Sequence, residues 1–357
     1  MPHYGTQRLL YEKKNVCLYI GYNLNILYPC HFLEIKNLMK VKSADFLVTF
    51  KCPSKCKHCS YKAGPERTGH MKLEDAEMYL QDLAETQPLQ SVGAHGGEPF
   101  LCFELLKGIM EKARALGIHR TWVITNGYWA KDKSVAKEKL TELKEAGLTC
   151  ITFSVDGFHQ EFIPLKNAIN GIDAATSLGF DRICVDAYFL DEPNISNFYD
   201  NMTRKGLENL EKLGDVEIHR RRIGFEGRAA AELAKYVKSK AEIPQGRCQL
   251  PFWIGGNLEN PEGIEIDSEG NVTLCPGICI GNTKTTPLTR MLESYDVAEH
   301  PILSVIAEEG PVGLLKMAIA KGYNRRKEFI DECNLCYEMR RFLRPYYPHH
   351  LSPEACY

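Results

Sequence analysis

The sequence has no run of eighteen uninterrupted apolar residues; its nearest approach, residues 16–35, is broken by Asn23, Asn25, Pro29, His31 and Glu34. A membrane-spanning helix is therefore not expected. It lacks an excess of either charge: 44 Lys and Arg stand against 46 Asp and Glu, a formal net charge of -2. That balance advertises no nucleic acid or other polyanion as partner. A secretory signal is missing too, and the cysteines sit singly or in short spacings, so reduced thiols, metal binding and a cytoplasmic location are expected in place of disulfides. The 357 residues, 44% of them hydrophobic, suffice for one large α/β domain and a smaller one.

Cysteine, by contrast, is plentiful, with 14 residues. Cys52, Cys56 and Cys59 form a C-x3-C-x2-C run at the end of an apolar stretch, residues 44–50. Three thiolates on one tight loop can hold three irons of a cubane [4Fe-4S] cluster. No fourth cysteine follows at ferredoxin spacing, which leaves the fourth iron open to a ligand. A zinc loop remains the alternative for such a triplet.

From residue 44 onward, strand-like runs alternate with helical stripes. Strands are expected at residues 46–50, 91–95, 121–125, 150–155, 183–189 and 216–223. Between them lie helical stripes such as Leu73, Ala76, Leu80, Leu83 and Ala84, or Leu105, Leu106, Ile109, Met110 and Ala113. Gly147 and Gly179 stand where helix C-caps belong. Six βα units fit a parallel sheet with right-handed crossovers, whose chemistry gathers at the C-terminal ends of its strands. The distinctive clusters fall at those ends: Gly96-Gly97-Glu98-Pro99, Asn126-Gly127 and Ser154-Val155-Asp156-Gly157.

Together the cysteine run, with His58 before its last member, and Gly96-Gly97-Glu98-Pro99 one βα unit later resemble the radical S-adenosylmethionine (radical SAM) superfamily. The resemblance implies a partial (β/α)6 TIM-like barrel over residues 44–240. It also implies that the open iron chelates SAM, whose reductive cleavage to a 5'-deoxyadenosyl radical starts hydrogen abstraction. SAM-binding positions follow by motif: Gly96 and Gly97 for the amino group, with Glu98 fixing their loop, and His58 beside the adenine. Ser154 and Asp156 would reach the carboxylate and ribose, although an Asp-Gly turn also explains the latter. Asn126 would meet SAM or its loop, or simply make a left-handed turn. Arg228, and more weakly Arg222, would face a carboxylate.

After residue 241 the βα rhythm stops and cysteines return. A hairpin around Glu269-Gly270-Asn271 delivers Cys275, and Cys333-Asn-Leu-Cys336 opens a helix. This layout resembles the twitch form of the SPASM domain, a small cysteine-rich α+β unit over residues 241–357. The resemblance implies an auxiliary [4Fe-4S] cluster on Cys248, Cys275, Cys333 and Cys336, with Cys279 as a rival for Cys248 and zinc as the rival metal. No cysteine stands between 337 and 347, which argues against a second auxiliary cluster.

Residues 1–43 are an N-terminal extension, and its first 38 residues are too few for the winged-helix peptide-binding domain of many peptide-modifying relatives. They are expected as a small cap, or as loosely packed residues ahead of a start at Met39. The function expected from the resemblance is a radical SAM oxidase or peptide-modifying maturase, fed electrons by a reductase with flavodoxin or by ferredoxin. A radical SAM enzyme acting on a small metabolite, or a non-enzymatic iron-sulfur or zinc scaffold, is the alternative. Tyr61, Tyr128, Asp186, Tyr188 and Glu226 lie near strand ends and are candidates to face the substrate.

Overall fold

The computed structural model describes residues 39–190, 197–211, 216–238, 240, 242–248, 250–251, 253–324 and 328–357. The expectation for residues 1–38 lies outside them. Six strands follow in order, β1 Ser43–Leu47, β2 Ser91–His95, β3 Arg120–Thr125, β4 Cys150–Ser154, β5 Arg182–Phe189 and β6 Glu217–Arg222. Each pairs in parallel with the next. The expected positions hold within a few residues. The largest difference is β1, where strand pairing ends at Leu47 and residues 48–51 instead form the backbone rail on which the glycine motif docks.

The crossovers carry α1 Leu73–Thr86, α2 Phe103–Ala115, α3 Lys133–Ala146, the single turn α4 Gly157–Gln160, α5 Leu165–Leu178 and α6 Phe198–Leu210. On α2 all five residues of the expected stripe are buried. Gly147 and Gly179 end α3 and α5 with φ of 116° and 66°, the left-handed region that a side chain disfavours. The result is a mixed α/β fold with a partial TIM-like barrel.

Beyond α7 Gly227–Glu232, the hairpin strands β7 Gly263–Asp267, β8 Asn271–Cys275 and β9 Ile278–Asn282 continue the same sheet. β7 pairs in parallel with β1, and β8 and β9 add antiparallel, giving the order β6-β5-β4-β3-β2-β1-β7-β8-β9. Among the described residues, four further α-helices follow: α8 Leu288–Glu293, α9 Leu303–Glu309, α10 Pro311–Ala320 and α11 Glu332–Leu343. No helix among the described residues is long and apolar enough to cross a membrane.

Alternation along the strands divides the sheet into two faces. Ala44, Phe46, Val92, Ala94, Val123, Ile151 and Val185 pack in the main core, where the helices supply the other half. The opposite face, turned into the barrel, is polar: Asp45 stands level with Gly93 and Glu265, and Asp186 level with His219. The Trp122 indole fills the room left at Gly93, where a Cβ would lie 2.1 Å from its ring.

Candidate functional site

The loop after β1 gathers the three cysteines. Cys52 and Cys56 are buried, Cys59 is half-buried, and all three act on one another electrostatically. Burial raises the Cys52 thiol, and the Glu98 carboxylate raises it further; a bound cation reverses that penalty. Two N–H donors already aim at the Cys52 sulfur, the Ser54 amide at 3.4 Å and the Asn126 side chain at 3.5 Å. Donors on sulfur of this kind suit a metal-bound thiolate, so these residues fit an iron-sulfur cluster.

Arg228 holds the loop from behind. Its buried guanidinium donates to the Cys56 carbonyl at 2.9 Å and the Ala63 carbonyl at 2.5 Å, while its amide donates to the Cys59 carbonyl at 3.1 Å. A Cβ on the preceding Gly227 would lie 2.5 Å from the carbonyls of Cys59 and Ser60, so α7 can start this close to the loop only with glycine. The sequence pointed Arg228 at a carboxylate; the structure shows it gripping the cysteine loop. Arg222 instead lies 3.8 Å from Asp331.

The glycine motif lies against residues 49–51. Gly97 donates to the Thr49 carbonyl at 2.6 Å and Glu98 to the Lys51 carbonyl at 3.0 Å. A Cβ on Gly97 would sit 2.1 Å from the Lys51 oxygen. Gly97→Ala is expected to force the motif off this rail, costing about 1–3 kcal/mol and weakening SAM binding at least tenfold; equilibrium dialysis against wild type checks it. The carboxylate of Glu98 is fully buried. One oxygen accepts from the Phe100 amide at 3.1 Å and the Thr125 hydroxyl at 2.8 Å, the other from the Asn126 amide at 2.8 Å. Glu98 thus ties the ends of β2 and β3 together.

At the end of β4, Asp156 caps α4 by accepting from the amides of Phe158 and His159 at 3.0 Å, and pairs with the His159 ring at 2.9 Å. The Tyr188 amide reaches its other oxygen at 3.4 Å. This engagement was not visible in the motif. Ser154, half-buried beside it, ends the strand. The His58 ring is bounded by Phe158, His159 and Tyr188, with centroids 4.8, 4.9 and 5.3 Å away. Its Nδ1 is buried without a partner, and burial lowers its pKa to about 4. A neutral imidazole with a spare nitrogen among aromatic rings fits a heteroaromatic base.

Residues 46–200 match the sequence model of the radical SAM superfamily. They are a radical SAM domain. Such a domain belongs to an enzyme and uses a [4Fe-4S] cluster and SAM. Among curated proteins, a putative peptide biosynthesis protein of Bacillus subtilis, YydG, is 26% identical over 129 residues, 36% of this chain and 40% of that protein. The GTP 3',8-cyclase of Aeromonas hydrophila is 30% identical over 157 residues, 40% of this chain and 44% of that enzyme. The chain thus spans less than half the length of both. Among solved structures, SuiB of Streptococcus suis bound to S-adenosylmethionine aligns over 72% of this chain and 67% of its own, at 16% identity and a TM-score of 0.40.

Sequence reasoning found no partner for the polar barrel face. Glu265 of β7 accepts from the Tyr61 hydroxyl at 2.5 Å and pairs with the His95 ring at 3.0 Å, and Thr273 donates to its other oxygen at 3.2 Å. Level with it, Asp45 is 1% exposed and has one oxygen without a partner. Only pairing of β7 with β1, across more than 200 residues, assembles this set. Of the other candidates, Tyr188 joins the wall around His58, Asp186 pairs with His219, and Glu226 precedes α7. Tyr128 donates to the Phe100 carbonyl at 3.5 Å.

Burial raises Asp45 and Glu98 each to about 7. Their unfolded values lie near 4, so between pH 4 and 7 the native state holds protons that the unfolded chain has lost. Stability of the metal-free protein is therefore expected to fall as pH rises through this window. Asp45→Asn, which cannot ionise, is expected to flatten the slope; melting temperatures at pH 5, 6, 7 and 8 read it.

Proposed function

We propose that this radical SAM enzyme is an oxidase or maturase of peptides that uses a second [4Fe-4S] cluster on Cys248, Cys275, Cys333 and Cys336. The observation that carries the proposal is the company kept by those thiols. Cys336 and Cys248 act electrostatically on both Cys275 and Cys333, and on each other. Three distant segments thus deliver four thiols to one place. Cys279 stands apart, donating to the Gly281 carbonyl at 3.0 Å, with Asp267 as its charged neighbour.

Two further features favour a cluster over one zinc ion. No three of these thiols lie within 4.8 Å of one another, whereas zinc–sulfur bonds of about 2.3 Å would draw them to about 3.8 Å. A cubane sets its ligands farther apart. Beside them lies the guanidinium of Arg340, 1% exposed, on the same helix as Cys333 and Cys336. A buried cation facing several thiols suits an anionic, thiolate-ligated centre.

In the barrel, Cys52, Cys56 and Cys59 would hold the SAM-binding cluster, which supplies the electron for SAM cleavage and hence the radical that takes a substrate hydrogen. Gly96 and Gly97 would offer carbonyls to the SAM ammonium, His58 and its aromatic wall would receive the adenine, and Ser154 lies beside them for the carboxylate or ribose. Asn126, Asp156 and Arg228 hold the surrounding loops in place. Glu226 connects the two centres: it accepts from the Ser60 side chain, next to Cys59, and lies 3.7 Å from Arg340. An electron leaving a substrate radical toward the second cluster would make the net reaction a two-electron oxidation. The electron donor would be a reduced flavodoxin or ferredoxin. The domain limits 44–240 and 241–357 divide the chain between these roles, although one sheet serves both.

The similarity to YydG supports a peptide substrate. The cyclase similarity supports a nucleotide as the second reading. The test is electron paramagnetic resonance of the dithionite-reduced enzyme. Two cubane signals are expected, only one of which changes on adding SAM. Cys333→Ala with Cys336→Ala should leave the SAM-sensitive signal alone; a single signal in wild type, with zinc in place of the second set of irons, would remove the auxiliary cluster. Incubation with a short peptide encoded beside the gene should yield 5'-deoxyadenosine and a product two hydrogens lighter; turnover with GTP instead would favour the nucleotide reading.

A further inference from the structure

We propose that Cys150, Cys184, Glu217 and His219 form a mononuclear site for a zinc-type dication, which clips together the three strands at the open edge of the barrel. The four residues lie on one sheet face by register. Cys184 is level with Glu217, and Asp186, two residues on, is level with His219. Cys150 begins the neighbouring strand β4, and its thiol is within hydrogen-bonding reach of the Cys184 thiol.

The separations suit one ion. Ligand atoms of Cys184, Glu217 and His219 all lie within 4.8 Å of one another, which no three of the iron-sulfur candidates do; Cys150 stands outside this compact set and reaches it through its hydrogen bond with Cys184. His219 Nε2 is 3.7 Å from the Glu217 carboxylate, too long for a hydrogen bond. It is close to the about 3.4 Å edge expected for two ligands on a tetrahedral zinc. The other ring nitrogen, Nδ1, meets the Asp186 carboxylate at 3.0 Å. A carboxylate on one nitrogen fixes the ring and leaves the second free for a metal, the usual arrangement of zinc-bound histidine.

Charge also closes. Two thiolates and one carboxylate bring three negative charges, a dication leaves one, and Arg182 cancels it by gripping Glu217 at 3.1 and 2.5 Å. A carboxylate has lone pairs for both a guanidinium and a metal. A second group, His58, Asp156 and His159, is similarly compact, but its members belong to the α4 cap and the site around His58.

The position decides what the ion does. Cys150 and Glu217 open their strands and Cys184 stands five residues before the end of β5, about 15 Å from the C-terminal rim where the cysteine loop lies. It cannot touch SAM. β6 is an edge strand of the sheet, and its side chains Glu217 and His219 are 51% and 34% exposed. A metal here would hold that edge to β4 and β5 where little burial does so.

The experiment measures zinc and iron per chain in the reconstituted, anaerobic holoenzyme after incubation with zinc chloride and desalting. Wild type is expected to hold one zinc; Cys184→Ser and His219→Gln should lose it with iron unchanged and with a lower melting temperature. Cobalt(II) in its place should give thiolate charge-transfer absorption that both variants abolish. Wild type without zinc, or variants that keep it, would overturn the site. So would zinc lost on replacing Cys333 and Cys336, which would place it at the other thiol set and count against the auxiliary cluster instead.

Discussion

Replacing Cys52, Cys56 and Cys59 together by alanine is expected to lower the iron content of the reconstituted enzyme from about eight to about four per chain and to abolish 5'-deoxyadenosine formation. Cys102, beyond the glycine motif, has Glu98 and Lys51 as its charged neighbours and none of the three cysteines. The loop itself should persist, because Arg228 grips backbone carbonyls at Cys56 and Ala63 and does not depend on the sulfurs. The remaining irons would report the second site in isolation. Iron that stays near eight, or deoxyadenosine still formed at more than a hundredth of the wild-type rate, would show that the SAM-binding cluster lies elsewhere.

Arg340→Met carries the second large effect. The guanidinium donates to the Pro276 carbonyl at 2.7 Å and the Tyr357 hydroxyl at 3.0 Å, lies 3.7 Å from Glu226, and has its Nε buried without a partner. Burial opposes its charge, but Tyr357, Cys336, Cys275 and Glu226 around it hold its pKa well above the ordinary arginine value. Methionine fills much of the volume but strands Glu226 and the Pro276 carbonyl, a loss of about 3–5 kcal/mol for one partner of a buried charge pair. Without the cation, the potential of an anionic cluster on the four thiols should move to more negative values, visible in a redox titration followed by electron paramagnetic resonance. Arg340→Lys keeps the charge and loses the planar fork, so it should restore the potential better than the stability. An unchanged potential in Arg340→Met would mean that no redox centre sits beside it.

Both effects concern residues that differ in how readily they could be read. The cysteine loop was legible because its chemistry lies within eight residues, and spacing along a chain survives without knowledge of the fold. Glu98 was legible for a similar reason, as part of a short motif one βα unit downstream. Arg340 was not: it is an ordinary arginine on an amphipathic helix until Cys275 and Glu226 arrive from other segments. Asp156 shows the reverse, a motif residue whose carboxylate is largely engaged by the α4 cap and the His159 ring, because a four-residue helix needs its first amides satisfied.

By itself the sequence determined the order of the βα units, the buried stripes of the helices, the glycine caps and the three-cysteine loop. All of these rest on local periodicity or on contacts between residues close in the chain. Tertiary structure alone decided that the late hairpin extends the barrel's own sheet through β7 and β1, and so set Glu265 against Tyr61, His95 and Asp45. It also decided that Arg228 serves the cysteine loop, that Cys279 stands apart from Cys248 and Cys275, and that Cys150, Cys184 and His219 share one face. Each of these depends on strand register or on packing between segments far apart in sequence. A one-residue change of register would turn every such side chain to the opposite face, and no local pattern records which register wins.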